Sequence, residues 1–291
     1  MIEQEDRKHE SDISFCHKFF HAFRFKEKTS SMDLSRTIGV SIDLETTGFS
    51  PFKDNIIQIG AVAFRCWKTF EEISRFRVYV SLKNGVTLSK KIQSLTGISQ
   101  ETLEKEGITE KRAIRALHCW VTGIRRDPKH YKSPGDTERI VFVGQNIHMF
   151  DAPYIIRSFH RLGVREMFPV DYIFDIIHLT KKVSSLKSRK LGSVYEIACG
   201  RKLDGAHDAV VDALAVVSII KSPWFLKECG SIASLFAYFI DRNIVMNTYM
   251  ERYWRLCKLR DYTPSDPMSR QNACKLCGEY VSPYFEHSHT I

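Results

Sequence analysis

The sequence predicts a mixed α/β domain with a helical C-terminal appendage. Residues 37–82 contain three β-rich runs separated by turn residues, the pattern of an antiparallel meander. Beyond residue 89, helical and strand-like stretches alternate, which adds further strands to a central sheet flanked by helices. Two acids, Asp43 and Glu45, interrupt the apolar alternation of the first strand, so one strand end carries chemistry.

Residues 1–35 form an N-terminal extension of mixed charge. Within it, Phe15, Phe19, Phe20, Phe23 and Phe25, with Lys18 and Arg24, read as an amphipathic helix packed on the main domain, and Ser30 and Ser31 end the pattern. Residues 36–221 make the central domain. Its meander strands are 37–45, 55–64 and 76–82, and helices follow at 89–95 and 109–124. Residues 125–138 hold two prolines and a glycine and read as a loop. Residues 139–143 are a fourth strand. A helix runs over 151–162, with Pro153 in its first turn and Gly163 as its stop. Residues 173–182 and 191–199 read as helices, and 209–221 as a helix capped by Asp208. The appendage, residues 222–291, contains apolar helical stretches at 232–240 and 249–259.

The 291 residues are 43% hydrophobic and 12% aromatic, enough for a substantial core. No apolar run approaches the ~20 residues of a membrane span. The polar first ten residues lack the apolar segment of a signal peptide. Eight cysteines are scattered, apart from Cys274 and Cys277, and do not form a disulfide framework. An intracellular, reducing location and no membrane partner are therefore expected. The net charge is +9, and residues 36–221, with 29 Lys/Arg against 20 Asp/Glu, hold all of the excess. A basic body around an acidic site suits a polyanionic substrate.

The acids fall into an ordered constellation. In a strand, residues i and i+2 share a face, so Ser41, Asp43 and Glu45 point one way and Val40, Ile42 and Leu44 the other. Two carboxylates side by side repel and raise each other's pKa, and a hard cation such as Mg²⁺ or Mn²⁺ relieves this. Asp151 stands at a helix start, where an anion is tolerated as a cap. Asp212 lies in a nearly all-apolar helix, where a carboxylate is expensive unless it is paired or bound to metal. Asp208, one turn earlier, is the rival ligand, although capping accounts for it. His207, in the loop before this helix, has a reference pKa suited to a general base.

Asp43-Leu44-Glu45-Thr46-Thr47-Gly48, then Asn146-x3-Phe150-Asp151, then His207-x4-Asp212 resemble, in order, the three motifs of the DEDDh (DnaQ-like) 3′→5′ exonucleases, which include proofreading subunits of bacterial DNA polymerase III. Ile56-Ile57-Gln58-Ile59-Gly60-Ala61-Val62 and Leu95-Thr96-Gly97-Ile98 agree with the same group. The resemblance covers roughly residues 36–221. Within the group, Leu191-Gly192-Ser193-Val194-Tyr195 and Phe150-Asp151-Ala152-Pro153-Tyr154 look most like the three-prime repair (TREX) DNA exonucleases. Two departures stand out: the first motif is nearer the general DnaQ form, and no proline-rich insertion lies between Tyr195 and His207.

The resemblance implies an RNase H-like fold and two-metal phosphodiester hydrolysis with Mg²⁺ or Mn²⁺. It assigns Asp43 to both ions, Glu45 and Asp212 to the first, Asp151 to the second, and proton abstraction from water to His207. It implies a nucleic-acid partner with single-stranded or frayed 3′ ends, DNA favoured over RNA. Thr46 and Thr47 are expected at the terminal nucleotide, and Asn146 belongs to the same pocket. Phe150 and Leu44 are either stacking wedges or packing residues. Lys187, Arg189 and Lys190 sit in a basic run that leads into the third motif and are expected on phosphates; Lys129, His130, Tyr131 and Lys132 are a weaker strand contact. A proofreading role would make the two appendages polymerase contacts, and a homodimer is the other partner considered. A rival of a different class is an inert nucleic-acid-binding scaffold, against which all four acids and His207 argue. In the tail, Cys274, Cys277, His287 and His289 form a candidate Cys₂His₂ zinc site with a tight His-x-His spacing, for which Cys257 is a substitute ligand.

Overall fold

The structure, a computed structural model, describes residues 37–51, 53–66, 70–83, 85–126, 139–161, 170, 172–181 and 183–229. The expected N-terminal aromatic helix, residues 129–132 of the expected loop, Gly163, the expected helical stretches at 232–240 and 249–259, and Cys257, Cys274, Cys277, His287 and His289 lie outside the described residues.

A five-stranded sheet organises the domain, in the order β3-β2-β1-β4-β5. β1 (Thr37–Thr46), β2 (Ile56–Arg65) and β3 (Glu72–Tyr79) form the antiparallel meander. β4 (Arg139–Gly144) joins the other edge of β1 in parallel, and β5 (Tyr172–Asp175) joins β4 in parallel. Around the sheet lie α1 (Lys90–Thr96), α2 (Gln100–Lys105), α3 (Glu110–Arg126), α4 (Asp151–Arg161), α5 (Ile177–Thr180), α6 (Leu191–Cys199), α7 (Ala209–Ile220) and α8 (Pro223–Cys229). This is the mixed sheet flanked by helices that the sequence predicts, and it matches the RNase H-like exonuclease fold.

The strand alternation explains the layering. Ile38, Val40, Ile42 and Leu44 of β1 pack with Ala113, Ile114, Leu117 and Val121 of α3 and with Tyr154, Ile155 and Phe159 of α4. Val62 and Phe64 of β2, Val141 and Val143 of β4 and Phe174 of β5 form a second core with Val194 of α6, Ala213, Val216 and Val217 of α7 and Phe225 of α8. Both faces of the sheet are thus covered, and β2 is buried along its length up to Arg65. α7 is apolar because it is interior, α8 buries only Phe225, and no single described helix is long and apolar enough to cross a membrane.

Three expectations are corrected. Residues 173–182 are not one helix: 172–175 form β5, and only 177–180 are helical. A short, largely buried parallel strand gives the same apolar run as a buried helix, and the Asp175 carboxylate then restarts the chain by accepting the Ile177 N–H at 3.0 Å. β3 begins at Glu72 rather than Phe76, because its pairing with β2 runs from Gln58↔Tyr79 to Phe64↔Glu72. Residues 125 and 126 still belong to α3, and the six-residue α2, capped by the Ser99 hydroxyl, was not expected at all.

Candidate active site

Asp43 and Glu45 stand at the C-terminal end of β1, where the sheet order places β2 on one side and β4 on the other. Asp43 is half-buried, whereas Glu45 is only 8% exposed. Asp151 reaches the same end from the first turn of α4. Its Oδ1 accepts the Leu44 backbone N–H at 3.0 Å, which docks α4 on β1 between the two acids. Asp151 is 2% exposed.

The third contribution comes from α7. Asp208 caps it, accepting the N–H groups of Val210 at 3.0 Å and Val211 at 3.3 Å. Gln58 of β2 holds the same turn, because its Oε1 accepts the Ala209 N–H at 3.0 Å. Gly60, opposite Asp43 in the ladder, lies directly beneath this turn: a Cβ there would meet the Ala209 carbonyl carbon at 2.3 Å. Glycine lets the helix approach closely enough for Asp212 to face β1. The Asp212 Oδ2 accepts the His207 N–H at 3.1 Å, while its buried Oδ1 has no hydrogen-bond partner among the described residues. His207 adopts a left-handed φ of 67°, a conformation costly for a side-chain-bearing residue and held here by that bond. Glu45, His207 and Asp212 each offer a ligand atom, all within 4.8 Å of one another.

The electrostatics follow from burial and crowding. Burial, then Asp151, Asp212 and Glu45, push the Asp43 carboxyl well up from its ordinary value. Burial and the neighbours Asp212 and Asp151 push Glu45 up to about 8. Asp151 is also raised, chiefly by burial, despite the N–H groups that favour its anion. Asp212 is raised by burial against the opposing pull of the His207 N–H. Four carboxylates converge in a place that disfavours their ionisation, and one of them presents an orphan oxygen. Divalent cations resolve both problems, and an all-oxygen acidic donor set suits Mg²⁺ or Mn²⁺. The residues present therefore fit such ions.

Asp208 has partners of its own. Its carboxylate is occupied as the α7 cap and as the partner of the Arg77 guanidinium. The Leu44 side chain packs in the core at 3% exposure, and its backbone serves Asp151. Thr46 and Thr47 shape the turn after β1: the Thr46 hydroxyl donates to the Gly48 carbonyl, and the Thr47 hydroxyl accepts the Asn55 N–H at 2.9 Å. Asn146, at a left-handed φ of 64°, opens the loop to α4. Phe150 is half-buried, with its ring centroid 5.3 Å from Tyr154 and 6.3 Å from the exposed Phe49. Lys187, Arg189 and Lys190 are exposed, and the Gln145 side-chain amide donates to the Arg189 carbonyl at 2.7 Å. That bond fastens the basic run beside the Asn146–Phe150 loop.

Sequence reasoning missed the supporting roles of Gln58, Gly60 and Gln145. A lone amide and a glycine within the apolar Ile56–Val62 run were the available signal for the first two.

Comparisons with known proteins agree with this geometry. Residues 40–134, which include Asp43 and Glu45, match the exonuclease family RNase_T. The chain is 29% identical over 160 residues to the PolC-type DNA polymerase III of Thermotoga maritima, covering 54% of this chain and 10% of that protein. It is 31% identical over 183 residues to the PolC-type polymerase of Clostridium perfringens, covering 62% of this chain and 11% of that one. A 3′-5′ DNA exonuclease of Escherichia coli, Cap18, is 25% identical over 188 residues, covering 62% of this chain and 89% of its own length. The chain thus spans about a tenth of the PolC-type relatives. Among solved structures, Exonuclease I superposes with a TM-score of 0.55 at 18% identity, covering 71% of this chain and 44% of that one. E. coli Exonuclease I in complex with a dT13 oligonucleotide gives 0.53 over 69% and 43%. These two likenesses concern the fold.

Proposed function

We propose that this chain, which belongs to the DEDDh (DnaQ-like) exonuclease superfamily, is a metal-dependent enzyme that removes nucleotides from DNA 3′ ends. The observation that carries the reading is the convergence of Asp43, Glu45, Asp151 and Asp212 at one strand end, with the Asp212 Oδ1 buried and without a hydrogen-bond partner among the described residues. Asp43, Glu45, Asp151 and Asp212 would hold two Mg²⁺ or Mn²⁺ ions, which supply charge neutralisation at the scissile phosphate and acidify water. His207, exposed and within reach of Glu45 and Asp212, accepts the proton of the attacking water. Lys187, Arg189 and Lys190 bind backbone phosphates on the approach to the site. Phe150, braced by Tyr154, meets the terminal nucleotide beside Thr46, Thr47 and Asn146. The DNA preference rests on the relatives: Cap18 is named a DNA exonuclease, and the PolC-type proteins are DNA polymerases.

The test uses 5′-labelled and 3′-labelled oligonucleotides of one sequence, as DNA and as RNA, with Mg²⁺ or EDTA. A 3′-to-5′ ladder on DNA, abolished by EDTA and slowed more than about 100-fold by Asp43→Asn, is expected. Shortening from the 5′ end, or activity intact in EDTA, overturns the mechanism. Trimming of RNA with DNA left whole overturns the substrate assignment alone.

A further inference from the structure

Behind the loop that delivers Asp151 lies a second cluster, made by His148, Asp175 and His178, whose ligand atoms all fall within 4.8 Å of one another. His148 Nδ1 is 3.3 Å from His178 Nε2 and 3.7 Å from Asp175 Oδ2. Ligands around a tetrahedral ion with bonds of ~2.0–2.1 Å stand about 3.3 Å apart, so the two distances from His148 Nδ1 lie within about 0.4 Å of that spacing.

The chemistry of His148 is fixed by its other nitrogen. Nε2 lies 3.2 Å from the Ile173 carbonyl oxygen, which can only accept, so Nε2 carries the proton. The neutral ring therefore turns a lone pair on Nδ1 toward His178 and Asp175. A ligating histidine that donates its second N–H to a backbone carbonyl is the usual support of a metal site. His148 is fully buried, an environment that disfavours the imidazolium. The Asp175 carboxylate is equally prearranged, accepting the N–H groups of Asn146 at 2.8 Å, Ile177 at 3.0 Å and His148 at 3.2 Å. His148 and Asp175 are buried, whereas His178 is half-buried.

We propose that His148 Nδ1, Asp175 Oδ2 and His178 Nε2 hold one structural Zn²⁺, separate from the four-carboxylate centre. Two imidazoles with one carboxylate suit zinc rather than Mg²⁺. The ion would tie the Asn146–Phe150 loop to β5 and α5, and so brace the segment that positions Asp151. The competing arrangement is a plain hydrogen bond from His178 Nε2–H to His148 Nδ1, with no metal.

The test uses the full chain carrying Asp43→Asn, Cys274→Ser and Cys277→Ser, which disables the other candidate ligand sets. Zinc is counted by mass spectrometry after dialysis against Mg²⁺. Thermal unfolding is followed with and without added Zn²⁺, and the visible spectrum is recorded after Co²⁺ loading. One zinc per chain, a Zn²⁺-dependent rise in Tm and a Co²⁺ band are expected. His178→Ala should weaken zinc by more than about 10-fold and abolish both signals, and His178→Cys should restore them through a new thiolate ligand. Dialysed protein without zinc and with a Tm indifferent to Zn²⁺ overturns the proposal. So does a His178→Ala protein that keeps its zinc.

Discussion

Replacing Gly60 with alanine puts the link between sheet and active site to a direct test. The added Cβ would stand 2.3 Å from the Ala209 carbonyl carbon, 2.4 Å from the Val210 nitrogen and 2.6 Å from the Ala209 oxygen. These are backbone atoms and cannot rotate away. Ordinary contact starts at 3.4 Å, so the first turn of α7 must withdraw by about 1 Å. Asp212 lies on α7 and withdraws with it, and the 3.0 Å bond from Ala209 N–H to Gln58 Oε1 stretches. Overpacking costs about 1–3 kcal/mol, and the weakened hydrogen bond adds about 1 kcal/mol. At roughly 2–4 °C per kcal/mol for a domain of this size, Tm falls by about 4–16 °C. A misplacement of about 1 Å at a reacting centre costs about 100-fold in kcat. Steady-state hydrolysis of a 5′-labelled oligonucleotide at saturating Mg²⁺, with a thermal melt of the same preparation, measures both. Wild-type Tm together with kcat within about threefold of wild type would refute the idea that close approach at Gly60 sets the site.

Other variants probe the remaining parts. Glu45, held near 8 by burial and its acidic neighbours, keeps its proton in the folded state while the unfolded carboxyl, at 4.5, has lost it. The folded protein then binds more protons, so metal-free stability falls as pH rises from about 4.5 to about 8, with the penalty complete above that range and absent below it. Melts in EDTA should show this slope, Mg²⁺ should offset it at the alkaline end, and Glu45→Gln should flatten it; an unchanged slope in that variant contradicts the assignment. Asp208→Ala should cost about 1 kcal/mol of stability through loss of the α7 cap, while Asp208→Asn keeps the cap and most of the turnover. Asp212→Asn should lose more than about 100-fold in kcat, and equal losses in Asp208→Asn and Asp212→Asn would erase the distinction drawn between them. His207→Gly should melt higher than His207→Ala, by about 1 kcal/mol, because glycine tolerates the φ of 67° without strain; both should lose the same share of turnover, and a His207→Ala enzyme with wild-type turnover removes the general base.

Much of this site was legible in the sequence because its parts are local patterns. Two acids on one strand face, an acid at a helix start and an acid inside an apolar helix each announce themselves by period or by the cost of burial. The cap role of Asp208 was readable for the same reason, and in the structure its carboxylate also pairs with Arg77. What the pattern could not carry was contact between distant elements. Nothing in the Ile56–Val62 run says that Gln58 will hold Ala209 or that Gly60 will lie under α7, a separation of about 150 residues in the chain. β5 was missed because four residues, Tyr172 to Asp175, are too short to show a period of their own; only their pairing with β4 makes them a strand. The His148–Asp175–His178 cluster escaped for the same reason, since its members meet only once β4 and β5 lie side by side.

The four-carboxylate centre can be counted directly. Titrating the full chain with Mn²⁺, and following the free ion by electron paramagnetic resonance, should give two ions per wild-type chain, neither of them held by Asp43→Asn and one retained by Asp151→Asn. Wild-type and Asp43→Asn chains that bind Mn²⁺ alike would contradict the claim that these carboxylates form one shared metal site.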